Sequence, residues 1–292
     1  MMKPAAILAI LVALAGLFRI AHTEILGDEI SRASDALPLY LSGAAVSARL
    51  DPTEERSLAQ VYDERHLTVG AATFSTLYPA TAGVVMQPYA AFDWDGFTRA
   101  WRWTLLGAVA LFGVATAISV RGWAGAAWGG LVVAALAWHP VTAECVRLGQ
   151  VNLVLGGLSA VALAAVVRGR GAQLAAGVLL GLGGVIKLVP GALLLPALAA
   201  RRWWPSVAAA VVGGVFLALV LPVTPLGDFI AAIRGTLRFQ AAIDPDWLVG
   251  RDPAPTWMRL LGFARHEPLQ WITLGDRKST RLNSSHTVIS YA

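Results

Sequence analysis

Residues 172–200 read AQLAAGVLLGLGGVIKLVPGALLLPALAA, an apolar run broken by one charge, Lys187. Uncharged runs of about 18 or more residues are the mark of membrane-spanning helices. The same pattern recurs outward from this stretch, with apolar segments at 4–22, 103–120, 123–139, 151–167, 172–186, 188–200 and 205–222. A shorter one at 79–92 holds Pro79 and Pro88, and is expected to be re-entrant or interfacial. The 292-residue chain is 57% hydrophobic and 14% charged, where a soluble domain carries roughly 25% charged residues. Its charges gather in residues 23–102 and 223–286. These features predict an all-α, polytopic membrane protein with a large first loop, 23–78. The 29 glycines suit close helix packing in lipid.

Basic residues set the orientation of such a chain. Lys3, Arg168, Arg170, Arg201 and Arg202 are expected on the cytoplasmic side, with Arg121 in a tight turn there too. Residues 23–102, 140–150 and 223–275 then face outward, which puts Arg99 and Arg102 on the side the rule disfavours. The first apolar run has no small-residue cleavage site after it, so it reads as a retained helix rather than a signal peptide. With helix ends accounting for the formal charge of +5, nucleic acid is not an expected partner. A single cysteine, Cys145, excludes an intrachain disulfide.

The last residues depart from this pattern. Asp276-Arg-Lys-Ser-Thr-Arg-Leu-Asn-Ser-Ser-His286 resembles the conceptual translation of a common short-read sequencing adapter, and Thr287–Ala292 its index and continuation. The natural chain is therefore expected to stop near Gly275, with residues 276–292 left out of fold reasoning. The tail holds three bases and one acid, so the formal charge without it is +3.

Four features could carry chemistry. Asp35 follows the first helix; a carboxylate there is either a general base for a hydroxyl or a helix cap or loop acid. Tyr78-Pro79 opens the short apolar segment, where proline starts helices and tyrosine anchors at interfaces. Arg147, Gln150 and Asn152 stand at the mouth of the 151–167 helix, the two amides either bonding across helices or lining a cavity. Lys187 is an intramembrane lysine, which either snorkels at a turn or marks a site where a point charge meets a phosphate. No Walker A loop, dinucleotide fingerprint or His/Cys metal spacing is present, so neither a cofactor nor a metal is called for.

In order, these motifs resemble glycosyltransferase family 87, multi-pass enzymes of the GT-C type. Asp35 and Tyr40 are similar to that family's first outer-loop motif, Tyr62-Asp63 to its Tyr-Asp, and Tyr78-Pro79 to its Tyr-Pro-Pro, with Ala80 replacing the second proline. Gly149, Gln150 and Asn152 match Gly-Gln-x-Asn, Lys187 and Pro190 match Lys-x-x-Pro, and Arg201-Arg-Trp-Trp204 matches a basic-aromatic turn. Asp35 and Tyr40 are spaced more widely than in the family, and no outer-loop motif of the carboxyl half is visible in 223–275. The resemblance implies a GT-C-like bundle that moves a hexose or pentose, mannose first, from a polyprenyl-phosphate donor to an extracytoplasmic glycan or glycolipid, in the bacterial cytoplasmic membrane. It implies Asp35 as catalytic base, with Tyr40, Tyr78, Arg147, Gln150, Asn152 and Lys187 binding substrate. The rival reading is a non-catalytic transporter or scaffold, against which stands the want of an internal repeat.

Overall fold

The computed structural model describes residues 2–26, 34–67 and 78–242. The tail at 276–292, the stretch 243–275 and parts of the first loop lie outside the described residues. By contacts the chain forms two units, residues 1–69 with 74–229, and residues 70–73 with 230–292. Of the second, residues 230–242 are described, within helix α12 (Leu226–Ala242).

Every regular element among the described residues is helical. Helix α1 (Met2–Ile20) runs into a π-turn (Ala21–Ile25). A 3-10 turn (Ser34–Ala36) leads into α2 (Leu37–Ser47), followed by α3 (Glu55–Glu64) and α4 (Ala80–Met86). Long helices α5 (Trp94–Val120) and α6 (Gly122–Trp138) come next, then α7 (Pro140–Leu148), α8 (Asn152–Val166) and α9 (Arg170–Ile186). A 3-10 turn (Val189–Leu193), α10 (Leu194–Ala199) and α11 (Trp203–Val220) complete the first unit's helices up to α12.

Three of the described helices are long and apolar enough to cross a membrane: α1 with its π-turn, α5 and α11. A fourth crossing is possible by composition if α6 and α7 count as one span bent by 68°. The bend has a local cause. Pro140 has no N–H for the ladder of α6, and His139, extended at φ −77°, accepts the Val141 N–H on Nδ1 at 3.2 Å to start a new helix.

Small residues let these helices touch. A Cβ on Gly129 would stand 2.6 Å from the Gly113 carbonyl, joining α6 to α5, and one on Gly157 of α8 would stand 2.7 Å from the Ala108 carbonyl of α5. Lipid tails are as apolar as leucine, so close van der Waals contact of this kind, not burial from water, drives helix association. Ile7, Leu8, Leu11 and Phe18 are exposed and face outward from α1, as suits a lipid-facing wall.

Helix α5 starts nine residues before the expected 103, because Asp93 caps it by accepting the Gly96 N–H at 2.8 Å and Asp95 lies in its first turn. Arg102 is therefore inside the helix and only 1% exposed. Its guanidinium donates to the Glu24 carbonyl at 2.7 Å and the Arg147 carbonyl at 2.8 Å. Both carbonyls belong to the last turn of a helical segment, the negative end of its dipole. Buried there, Arg102 is committed to the two carbonyls, while Arg99 stays exposed. Within the first loop α2 is buried along most of its length, with Gly43 set against Met86 and Gly83 against the Ser42 carbonyl of the α2–α4 pair, whereas α3 buries only Ser57, Leu58 and Val61.

The two ends of the bundle differ in charge. At one end Arg168 donates to the Ile118 carbonyl, Arg202 to the Val166 carbonyl at 3.0 Å, Arg170 stacks on Trp204 at 3.5 Å, and Lys3 lies 5.6 Å from the Trp123 ring. Arg102, Asp35, Gln150 and Lys187 sit at the other. Arg102 and Arg121 are nineteen residues apart on α5, about 29 Å at 1.5 Å per residue, close to the thickness of a bilayer core.

Candidate active site

The site is built from helix ends. Helix α7 stops at Gly149, whose φ of 77° and ψ of 30° lie in the left-handed region. The Gly149 N–H bonds the Val146 carbonyl at 3.2 Å and the Gln150 N–H bonds the Cys145 carbonyl at 2.9 Å, the Schellman pair. Reversing the chain this way brings the Gln150 side chain back onto α7, where the Cys145 thiol donates to its Oε1 at 3.1 Å. The amide nitrogen of Gln150 is then directed across the fold and donates to Asp35 Oδ2 at 3.0 Å. Trp101 Nε1 holds the same turn from α5, donating to the Gly149 carbonyl at 2.8 Å.

Lys187 occupies a second helix end. The chain leaves α9 at Lys187, which is extended at φ −153° and ψ 132°. Pro190 folds back over Gly183, where a Cβ would stand 2.9 Å from the proline ring. The carbonyls left at the end of α9 carry partial negative charge, and a cation is favoured there. Thr81 of α4 donates to one of them, Val185, at 2.6 Å. The ammonium itself reaches Asn152 Oδ1 at 3.4 Å.

Asp35, Gln150, Asn152 and Lys187 therefore make two hydrogen-bonded pairs joined through residues 150–152. The order is carboxylate, amide, amide, ammonium. Asp35 and Asn152 are exposed, and Gln150 and Lys187 half-buried. Tyr78, half-buried just before α4, belongs with them: burial pushes its phenol up to about 12, and the Asp35 carboxylate adds to the rise. A phenol so raised remains a hydrogen-bond donor across the physiological range.

The other two expected site residues are placed differently. Tyr40 is 0% exposed, its ring packed edge-on to Trp94 and against Phe97. Its hydroxyl donates to the Phe92 carbonyl at 3.0 Å and accepts from Arg65 at 3.4 Å. Arg147 pairs with Glu144 one turn earlier, at 2.9 and 2.5 Å, and its carbonyl receives Arg102. Tyr62 and Asp63 lie on α3, and Arg202 of the basic-aromatic turn closes α8 at the far end. Sequence reasoning missed Trp101, Arg102, Thr81 and Cys145. For Arg102 a signal existed in the capping Asp93; the other three differ in nothing from ordinary helix residues until the fold is known.

Several helices long and apolar enough to cross a bilayer, with a polar row at their shared ends, define a multi-pass membrane protein. The model of glycosyltransferase family 87 matches residues 76–271, which is 196 of the 292 residues. The chain belongs to that family, and is a membrane glycosyltransferase. Tyr78, Arg147, Gln150, Asn152 and Lys187 fall inside the matched stretch, whereas Asp35 and Tyr40 precede it. No curated protein and no solved structure matches the chain.

Proposed function

We propose that the chain transfers a sugar, mannose first, from a polyprenyl phosphate to an extracytoplasmic glycan or glycolipid, with inversion at the anomeric carbon. The observation that carries this reading is the polar row from Asp35 to Lys187, drawn from three distant segments. Its polarity is that of the reaction. The acceptor hydroxyl attacks the anomeric carbon and gives its proton to the Asp35 carboxylate. The bond from that carbon to the phosphate oxygen breaks, and the lipid phosphate leaves with the electron pair. Lys187 stabilises the charge on the leaving phosphate, and Arg147 leaves Glu144 for the same phosphate. Gln150 and Asn152 hold the two ionic groups apart and on station, and Tyr78 donates to the sugar. Tyr40 serves from beneath, keeping the α2 segment against α5.

Orientation is supported by charge. Lys3, Arg168, Arg170 and Arg202 share one end of the bundle, and the positive-inside rule sets that end in the cytoplasm of a bacterium. The row of site residues then opens outward, where a flipped lipid-linked donor is met.

The test is transfer from radiolabelled polyprenyl-phosphate-mannose in membranes carrying Asp35→Asn. Loss of about 10²–10⁴ in rate, as removal of a general base gives, with unchanged Tm, is the expected result. Full activity in that variant sinks the base assignment. Transfer from a nucleotide sugar but not from the lipid donor sinks the donor class.

A further inference from the structure

We propose that the groove between α5, α6 and α8, at the arginine-rich end of the bundle, binds one anionic phospholipid of the surrounding bilayer. This goes beyond the transferase reading and does not depend on it. The groove holds about 900 Å³. Phe112, Val132, Leu163 and Val167 line it, and Arg121 and Arg168 stand among its lining residues at the helix ends. From Phe112 to Arg121 it follows nine residues of α5, roughly 14 Å of helix. Thr116 and Ser119 also line it, but each hydroxyl bonds a carbonyl of its own helix at 2.9 Å, so this wall is in effect apolar. None of its described lining residues is acidic.

A cleft with hydrocarbon walls and two guanidinium groups at one end fits a ligand with an anionic head and an acyl tail. A free phosphate would use only the arginines, and a neutral lipid only the walls. Basic pockets between transmembrane helices on the cytoplasmic side take anionic lipid headgroups. Arg168 is braced by its bond to the Ile118 carbonyl, and its planar fork keeps further donors for a phosphodiester. Arg121 is held at φ 63° and ψ 159°, a conformation that glycine favours and arginine does not. Strain of this kind persists where surroundings impose it, and it gathers at binding sites.

The experiment is native mass spectrometry of the full chain in detergent, titrated with dioleoylphosphatidylglycerol or dioleoylphosphatidylcholine. The wild type should retain one phosphatidylglycerol in preference to phosphatidylcholine. At about 1 kcal/mol per basic residue near the bilayer surface, Arg121→Gly should weaken retention roughly fivefold, and Arg121→Gly with Arg168→Gln about 25-fold. Arg121→Gly should not lower Tm, since glycine suits that backbone. Ser119→Trp keeps both arginines and sets an indole in the cleft beside them, and should weaken retention too; it decides the matter if the double variant fails to fold. Equal retention of the two lipids overturns the proposal, as does no phosphatidylglycerol on the wild type. So does unchanged retention in Ser119→Trp or in a folded double variant.

Discussion

Replacing Arg102 by methionine tests whether two helix ends are held by one guanidinium. The side chain is 1% exposed and donates to the Glu24 and Arg147 carbonyls at 2.7 and 2.8 Å. Hydrogen bonds to a charged group contribute about 1.5–3 kcal/mol each, so two lost bonds cost about 3–6 kcal/mol. Relief from burying a charge offsets about 1–3 kcal/mol of that. Taken low with low and high with high, the net loss is about 2–3 kcal/mol. For a chain of 292 residues, at about 2–4 °C per kcal/mol, this is a fall in Tm of roughly 4–12 °C. Thermal unfolding in detergent, followed by the intrinsic fluorescence of the 11 tryptophans, reads it directly. Arg102→Lys keeps the charge but not the fork, and should fall in between, because an ammonium does not span both carbonyls. An unchanged or raised Tm in Arg102→Met would refute the reasoning. It would mean that the buried charge costs as much as its two bonds return, and that packing alone holds the end of α7.

Three further outcomes follow from the same geometry. Thr81→Val leaves the Val185 carbonyl without its 2.6 Å bond; a loss of about 1–2 kcal/mol is expected, with faster hydrogen exchange around residues 186–191. Gly149→Ala forces a side chain into a backbone at φ 77°, costing about 1 kcal/mol in Tm measurements, and Gly149→Asn should cost less, as asparagine tolerates that region better. Tyr78 has its folded phenol pushed up to about 12, above the ordinary 10. The unfolded phenol then loses its proton first, so stability is intact below pH 10 and falls between pH 10 and 12, by at most about 1.4 kcal/mol per pH unit before solvent screening is allowed for. Tyr78→Phe should remove that share of the alkaline loss, as read from denaturation midpoints on either side of pH 10.

The membrane class was legible because it rests on composition and run length, which need no tertiary knowledge. The helix starting at 94 was not read, because the apolar count stopped at Arg99 and Arg102; a buried arginine looks the same in sequence as a loop arginine until its carbonyl partners are known. The first loop was only partly legible for a similar reason. Its mixed composition hides α2, whose buried face is made by Gly43 and Gly83 with α4. Tyr40 is placed away from the polar row. It stands five residues after Asp35, and five residues advance about 140° round a helical path, turning it toward Trp94 and Phe97 rather than toward the row that holds Asp35.

The three motifs that meet in the polar row share a physical form. Each joins a residue that ends or begins a helix to a polar residue beside it: Gly149 with Gln150, Pro190 with Lys187, Pro79 with Tyr78. A polar group inside an apolar helix is costly in lipid, and so is an unpaired backbone carbonyl. Placing both at the same break lets each relieve the other. The carbonyl end of α9 favours the Lys187 cation, Thr81 takes one of its carbonyls, and the Schellman turn satisfies the end of α7 while aiming Gln150 at Asp35. A polar site in this bundle is therefore cheapest where several helix ends meet on one face. That is why glycine and proline, which carry no charge or polar side chain, are the best sequence markers of where such a row sits.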